Sequence, residues 1–543
     1  MNILLLGAND RACYSLAKTY ARQGWSVTVM HDDSHAIASS RFVQKFIRIS
    51  HSFTHAVEEA SQQIEHYLKE NAFDCLIPVN DIAVALCIKN FQPWSLYTKV
   101  LNINEPDIEK YSVNKYELLE LAKSLNFPVP ATRLVSNVEE IAEAVEASAY
   151  PVIAKPVQSR KLIGDDIYNY TVKKISEKNR LSNFLREKVP TVPVMLQEVL
   201  EEGYGVGFNF LAKDGKILQS YAHQRINEAW GGGQSSYRKS IPTDTYDLYK
   251  YSEALISKIG WSGIAMMEYR VVKGLPFIME INGRPWGSIE VGTFGGVDLA
   301  LGLIKVFVEN EKVINTASRE VYVRNLYNDF IWILKSRSPA MILKWFASLK
   351  TIFKSNHYNE DSVLTDPAYR IRYISEQVFY KTGKALVVAG RKIFWPTRIS
   401  VIKPGMITAS SRVAFICKGN INRSAFAEYY FLSKYKGKAA AVESFGVVHE
   451  EQRMAPLEAL TAAKHFGVDL AEHRSNHIKP TMATEFDYFL IMDSQNYRDM
   501  IAMNIPAEKL FLLHTGGIKD PYGKDQHTFN AVFEKIAKAI DRL

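Results

Sequence analysis

One run constrains this chain more than any other: Arg412-Val-Ala-Phe-Ile-Cys417-Lys-Gly-Asn-Ile-Asn-Arg423-Ser424. An apolar strand leads into a cysteine, a short loop follows, and a helix is expected from about Ser424 through Ala425-Phe-Ala-Glu-Tyr-Tyr. A free thiol titrates near pH ~8.5, and only its thiolate attacks well. Loop N–H groups at a helix N-terminus favour that thiolate and cradle an anion such as phosphate. Arg423, six residues after Cys417, offers a fork of donors to phosphate oxygens. Ser424 is placed to donate to the sulfur and steady it as a leaving group. Gly419 permits the tight backbone, and Asn420 holds the loop in shape. Phosphoester cleavage also needs an acid for the departing oxygen. Lys519-Asp520-Pro521-Tyr522-Gly523 presents Asp520 on a turn.

These residues resemble the low-molecular-weight protein tyrosine phosphatases, over nearly all of 411–543. The likeness extends to Glu443-Ser444-Phe445-Gly446, Ala455-Pro456, Phe466 through Ser475, and Leu490-Ile-Met-Asp493. It implies an α/β domain in which Cys417 attacks phosphorus and forms a phosphocysteine. Asp520 would protonate the leaving group and then activate water, while Arg423, Ser424 and the loop amides hold the phosphoryl group and sulfur. The implied substrate is a phosphotyrosine protein, with a small phosphomonoester as the alternative. Three positions depart from the family pattern. Asn422 stands where a second cysteine is usual, Ala425 replaces the usual proline, and Val447-Val448-His449 lacks the common aromatic. Cys417 is the last of four cysteines, after Cys13, Cys75 and Cys87. Arsenate reductases, which share the fold but need resolving cysteines, therefore fit poorly. Cys417 is also expected to lack disulfide protection against peroxide.

Upstream, residues 1–110 alternate strands and helices. Strands are expected at Asn2–Leu6, Ser26–Met30 and Asp74–Val79, and a helix at Arg11–Gln23 closed by Gly24. The first turn lacks G-x-G-x-x-G, so this Rossmann-like half is a scaffold rather than a dinucleotide site. Residues 111–310 carry Gly263-Ile-Ala-Met-Met-Glu268-Tyr-Arg and Phe277-Ile-Met-Glu280-Ile-Asn282-Gly-Arg284-Pro-Trp-Gly-Ser. Glu268 and Glu280 are placed on the paired strands of a hairpin. Two carboxylates and an amide there suit Mg²⁺ carrying a nucleoside triphosphate. Lys115 and Lys155 are candidates to neutralise phosphates, Met195-Leu-Gln197-Glu198 a strand and hinge for adenine, and Trp230-Gly-Gly-Gly-Gln-Ser-Ser a phosphate-covering loop.

In this order the elements resemble the ATP-grasp superfamily, across roughly 1–310. The resemblance implies ATP and Mg²⁺ as cofactors, with Lys115 and Lys155 as nucleotide lysines. It implies Gln197 and Glu198 at the base, Glu202 at the ribose, Glu268, Glu280 and Asn282 at the metal, and Arg284 at substrate or phosphate. The shared chemistry is carboxylate phosphorylation followed by amine attack on the acyl phosphate, so the partners are a small carboxylate and an amine. His223-Gln-Arg225-Ile-Asn-Glu228 and Arg284-Pro-Trp-Gly-Ser resemble carboxylate–amine ligases, some of which are associated with bacterial surface-polysaccharide loci.

The formal charge of +8 is unevenly spread. Glu320 to Pro404 holds 14 Lys/Arg and 6 Asp/Glu, so the remainder is neutral, which argues against a nucleic-acid surface on either end. Within this stretch, 340–354 is amphipathic: Ile342, Trp345, Phe346, Leu349, Ile352 and Phe353 form one face. Peripheral contact with an anionic inner membrane face and packing on the ligase are the two readings. No apolar run approaches the ~18–20 residues of a membrane span, and the start lacks a basic leader, so a cytoplasmic protein is expected. The expected architecture is α/β throughout: a Rossmann-like pre-domain at 1–110, an ATP-grasp ligase domain at 111–310, a basic, partly helical connector at 311–410, and a phosphatase domain at 411–543. The expected function is a bifunctional enzyme, with a non-catalytic binding role for one half as the alternative.

Overall fold

The computed structural model describes residues 1–8, 11–200, 203–228, 235–313, 318–336, 339–360, 364–376 and 399–543. The alternating pattern at the start folds as a parallel sheet of β1 (Asn2–Leu6), β2 (Ser26–His31), β3 (Lys45–Arg48), β4 (Cys75–Pro78) and β5 (Lys99–Val100). Its order is β3-β2-β1-β4-β5. Strand alternation divides β1 between two cores. Ile3 and Leu5 pack with Cys13, Leu16 and Ala17 of the helix Ala12–Ala21. Leu4 and Leu6 pack with Ala60, Ile64 and Leu68 of the helix Val57–Glu70. A strand covered on both faces is apolar throughout, which is why its position was legible.

Next come β6 (Thr132–Val135), β7 (Val152–Pro156), β8 (Arg160–Ile163), β9 (Asp166–Asn169), β10 (Lys173–Ile175) and β11 (Val194–Glu198). The sheet β10-β7-β11-β6 is antiparallel. One face is covered by the helices Ile141–Ala147 and Lys178–Lys188, through Ile141, Ala144, Leu181 and Phe184 against Val152, Ala154, Val194 and Leu196. Strands β8 and β9 form a separate hairpin.

A seven-stranded sheet follows, built from β12 (Gly203–Lys213), β13 (Lys216–Glu228), β14 (Ser235–Ile241), β15 (Gly263–Val272), β16 (Leu275–Asn282), β17 (Tyr322–Arg324) and β18 (His357–Asn359). Its order is β16-β15-β12-β13-β14-β17-β18, antiparallel except for the last pair. The stretch read as a connector thus supplies two edge strands. Each has three residues, too short to leave a periodicity. The amphipathic segment forms a helix, Pro339–Ser348, and a short 3₁₀ turn, Leu349–Phe353. Its expected apolar face divides. The Trp345 ring lies tilted against Phe330, and its N–H donates to Asp329 Oδ2 at 2.9 Å, whereas Phe346 is exposed, as is Leu343 outside that face.

The last sheet holds β19 (Arg412–Cys417), β20 (Ala441–Gly446), β21 (Tyr488–Ile491) and β22 (Leu510–Leu512), parallel in the order β20-β19-β21-β22. The helices Arg423–Lys434, Leu457–Lys464 and Gln526–Ile540 enclose one core, and Met500 of the helix Ser494–Ala502 joins the other. The chain divides into two compact units. One comprises Met1–Ala131, Gln158–Asn169 and Leu200–Arg391; the other comprises Thr132–Val157, Tyr170–Val199 and Lys392–Leu543. The sheet β10-β7-β11-β6 therefore shares a unit with the sheet of β19. No helix among the described residues is long and apolar enough to cross a membrane.

Candidate functional site

Cys417 ends β19 where the strand order reverses, with β20 on one side and β21 on the other. The carboxyl ends of parallel strands at such a switch point leave a crevice for a ligand. The helix Arg423–Lys434 starts immediately after the loop. Asn420 adopts a left-handed φ of +52°, which is strained for a residue with a side chain. A network holds it there. Its Nδ2 donates to Ser424 Oγ at 2.9 Å and Ser444 Oγ at 2.7 Å. Its Oδ1 accepts from the Asn476 N–H at 2.8 Å, and its carbonyl meets His473 Nε2 at 2.6 Å. Burial lowers the His473 pKa, which favours a neutral ring donating to that carbonyl. The turned backbone aims the Asn420 N–H at Cys417 Sγ, 3.2 Å away, and Ser424 Oγ donates to the same sulfur at 3.0 Å. Donors on sulfur stabilise a thiolate.

Arg423 is 1% exposed. Its Nη1 donates to Asp493 Oδ2 at 2.6 Å and to the Ile518 carbonyl at 2.8 Å, and its Nη2 lies 3.0 Å from Asp520 Oδ2. Among the described residues its Nε is buried without an acceptor. Burial works against the guanidinium charge, but Cys417, Asp520 and Asp493 raise its pKa. A cavity of about 220 Å³ is lined by Cys417, Lys418, Gly419, Asn422, Asp520 and Tyr522. The structure thus brings Cys417, Arg423, Ser424 and Asp520 together, and adds Asp493 as the clamp on Arg423. Behind the loop, Ser444 Oγ donates to Glu428 Oε2 at 2.6 Å. Burial, opposed by that hydrogen bond, pushes Glu428 up to about 7.

In the other unit, Glu268 and Glu280 face each other across β15 and β16. Asn282 Nδ2 donates to Glu268 Oε1 at 3.1 Å, and Arg225 Nη2 donates to Glu268 Oε2 at 2.7 Å. Lys115 opens the helix Lys115–Ser124, whose cap is Asn114. Its Nζ donates to Ser159 Oγ at 2.6 Å and lies 3.6 Å from Glu280 Oε2. Arg284 pairs with Asp81. Burial opposes the Asp81 charge, but Arg284, Arg160 and Lys115 hold its carboxyl below the usual range. Two cavities share the wall Glu280–Asn282–Arg284. One, of about 590 Å³, adds Lys115, Ser159 and Arg160; the other, of about 570 Å³, adds Arg11, Arg225, Arg238 and Glu268.

Lys155 and Gln197 lie on the adjacent strands β7 and β11. Their register places both on the face away from the covering helices. Glu198, one residue on, belongs to the opposite face by strand alternation, so the pair read together at the base is split. Gln197 Nε2 donates to Thr132 Oγ1 at 2.9 Å. Glu202 and residues 230–234 of the glycine loop lie outside the described residues. Sequence reasoning missed Asp81, Ser159, Arg11 and Arg238. A signal existed for Arg238: the buried face of β14 reads Ser236, Arg238, Ser240, and polar residues on an inward face mark a site rather than a core.

The family model of the low molecular weight phosphotyrosine protein phosphatases matches residues 412–543. A protein-arginine-phosphatase of Geobacillus stearothermophilus is 31% identical over 140 residues, which is 24% of this chain and 93% of that protein. A probable low molecular weight protein-tyrosine-phosphatase, EpsP, of Ralstonia nicotianae is 26% identical over 134 residues, 24% of this chain and 90% of its own length. Among solved structures, the biotin carboxylase domain of Hydrogenobacter thermophilus 2-oxoglutarate carboxylase, in complex with MgADP, ADP and bicarbonate, aligns with 59% of this chain and 73% of its own, at 13% identity and a TM-score of 0.46.

Proposed function

The chain belongs, through residues 412–543, to the low molecular weight phosphotyrosine protein phosphatases, and from that premise we propose that Cys417 hydrolyses phosphotyrosine in proteins. The observation that carries this reading is the sulfur of Cys417 meeting two donors in a cavity it shares with Asp520, with Arg423 clamped beside them. Cys417 Sγ attacks phosphorus, the phosphorus–oxygen bond breaks, and Asp520 gives its proton to the departing phenolate. Asp520 then takes a proton from water, the water oxygen bonds to phosphorus, and the sulfur leaves as thiolate steadied by Ser424. Arg423 and the loop amides hold the equatorial oxygens, and the unpaired Nε of Arg423 is a donor suited to one of them. The test is turnover by the full chain of a phosphotyrosine peptide against a panel of sugar phosphates. Peptide hydrolysis that vanishes in Cys417→Ser is expected. Turnover of sugar phosphates alone would replace the protein substrate with a small phosphomonoester.

For the other half the reading is a Mg-ATP-dependent carboxylate–amine ligase. Two carboxylates and one amide oxygen form a hard donor set that fits a magnesium ion. Glu268, Glu280 and Asn282 would hold it, and it would supply neutralisation of nucleotide phosphate charge. By the ATP-grasp resemblance, Lys115 and Lys155 neutralise phosphate oxygens, Gln197 meets the base without Glu198 beside it, and Glu202 meets the ribose. Arg284, with Arg225 and Arg238 in the adjoining cavity, holds the substrate carboxylate. The carboxylate would attack the γ-phosphorus of bound ATP with release of ADP, and the amine would then displace phosphate from the acyl phosphate. Both activities on one chain suit bacterial surface-polysaccharide production, and the exposed Leu343 and Phe346 suit contact with an anionic membrane face. Screening ATP hydrolysis against mixed uronic acids and amino acids tests the ligase. Mg-ATP binding unchanged in Glu280→Ala would contradict the metal assignment.

A further inference from the structure

The mouth of the phosphatase cavity is not built from the phosphatase residues alone. Glu187, near the end of the helix Lys178–Lys188, lines it together with Tyr522, Arg453 and Glu450. That helix covers the sheet β10-β7-β11-β6, outside the matched residues 412–543 and inside the same compact unit. Four polar contacts seat it on the loop before and the start of the helix Leu457–Lys464. Arg186 Nε donates to the Ala455 carbonyl at 3.0 Å, and the Met454 N–H donates to the Arg186 carbonyl at 3.2 Å. Asn183 accepts from the Leu457 N–H at 2.9 Å and donates to Glu458 Oε2 at 2.7 Å.

This seating puts the two oxygens of Glu187 between the two halves of the catalytic site. Glu187 Oε2 accepts from the Tyr522 hydroxyl at 2.5 Å, and the Tyr522 N–H in turn donates to Asp520 Oδ1 at 3.3 Å. Glu187 Oε1 lies 3.9 Å from Arg453 Nη1. Arg453 Nη2 donates to the Gly419 carbonyl, in the loop of Cys417, at 2.7 Å. Lys188 Nζ, 2.9 Å from Glu187 and 3.2 Å from Glu450, compensates the acidic charge. Burial works against the Glu187 carboxylate, but Lys188, the Tyr522 hydroxyl and Arg453 hold its pKa below the usual range. An ionised acceptor makes the stronger hydrogen bond to a phenol.

We propose that Glu187 is a positioning residue of the phosphatase, tying the turn of Asp520 to the loop of Cys417 from outside the phosphatase domain. Tyr522, held by its hydroxyl, then sets the width of the cleft mouth, so the same contact governs which phosphorylated side chains enter. The inference rests on the phosphatase reading above.

The test uses the full chain with p-nitrophenyl phosphate and a phosphotyrosine peptide. Glu187→Ala and Tyr522→Phe are each expected to lower kcat/KM roughly 3–10-fold. The double variant should fall no further than the worse single one, because both remove the same contact. The alkaline limb of the kcat–pH profile should move in Glu187→Ala. Glu187→Gln, which keeps an acceptor for the Tyr522 hydroxyl, should restore part of the loss. Lys178→Ala, on the exposed start of the same helix, should leave both kcat and KM unchanged. Glu187→Ala with wild-type kinetics and pH profile, or independent multiplication of the two single effects, would overturn the positioning role. A wild-type chain inactive on both substrates overturns the phosphatase reading and this inference together. An active chain indifferent to Glu187 overturns only the inference.

Discussion

At the scale of single residues, the phosphatase loop depends on a few side chains held by named partners, with Arg423 Nε left open among the described residues. Cys417, Gly419, Asn420, Arg423 and Ser424 were legible because they sit within one turn of loop and the start of one helix. Their geometry follows from contiguity. Asp493 was visible only as part of a resembling stretch, since its grip on Arg423 spans 70 positions. Glu428 had no signal at all, because a glutamate on an amphipathic helix reads as solvated. Its position behind Ser444 has a measurable consequence. Burial raises its pKa from 4.5 to about 7. Below pH 4.5 the carboxyl is protonated whether folded or unfolded, and costs nothing. Between pH 4.5 and 7 the unfolded chain releases the proton and the folded chain keeps it, so stability falls as pH rises, and the penalty is constant above 7. Glu428→Gln should therefore gain stability relative to wild type on going from pH 5 to pH 8, in parallel denaturant titrations. An equal difference at both pH values would show that Glu428 does not titrate in this way.

At the scale of elements, the parallel strands β1 and β19 were recognisable because burial on both faces leaves unbroken apolar runs. The β15–β16 hairpin was recognisable by its paired acidic residues, and the register places Glu268 opposite Glu280. The three-residue strands β17 and β18 were not, since only the pairing of β17 to β14 and of β18 to β17 makes them strands. Element packing also decides what β20 tolerates beside the loop. Gly446 pairs with Cys417, and a Cβ there would lie 3.0 Å from the Gly419 carbonyl carbon and 3.1 Å from the Asn420 nitrogen. Those are backbone atoms of the phosphate loop and cannot yield as a side chain would. Gly446→Ala is expected to cost about 1–3 kcal/mol, the usual range for overpacking, and to lower kcat by displacing the Asn420 N–H from the sulfur. A variant with wild-type kcat and melting temperature would show that β20 can move aside.

At the scale of the whole molecule, the two proposed chemistries sit over separate hydrophobic cores. Ile3, Tyr221 and Leu303 belong to one, and Phe415, Phe426 and Phe533 to another. Cys417→Ser should abolish phosphatase turnover and leave ATP hydrolysis unchanged. Glu280→Gln should lower ATP turnover by at least the ~10–100-fold that losing an outer-shell partner of a metal site costs, and leave phosphatase kinetics unchanged. Assaying both reactions on each full-length variant checks this, and loss of both activities in either variant would contradict it. The amino-acid order alone determined the Cys417 loop, its acid turn, the acidic hairpin and the parallel α/β pattern. In each, the informative residues are neighbours along the chain or obey a short period. Tertiary structure decided the rest. It set Arg238 and Arg11 in one cavity with Glu268, gave two cavities a common wall at Glu280, and brought Glu187 to Tyr522 across 335 positions. Such contacts arise from how sheets and helices stack, and no local pattern encodes them. The Cys417 loop was therefore readable as chemistry, while the outer support of its cleft became visible only in the fold.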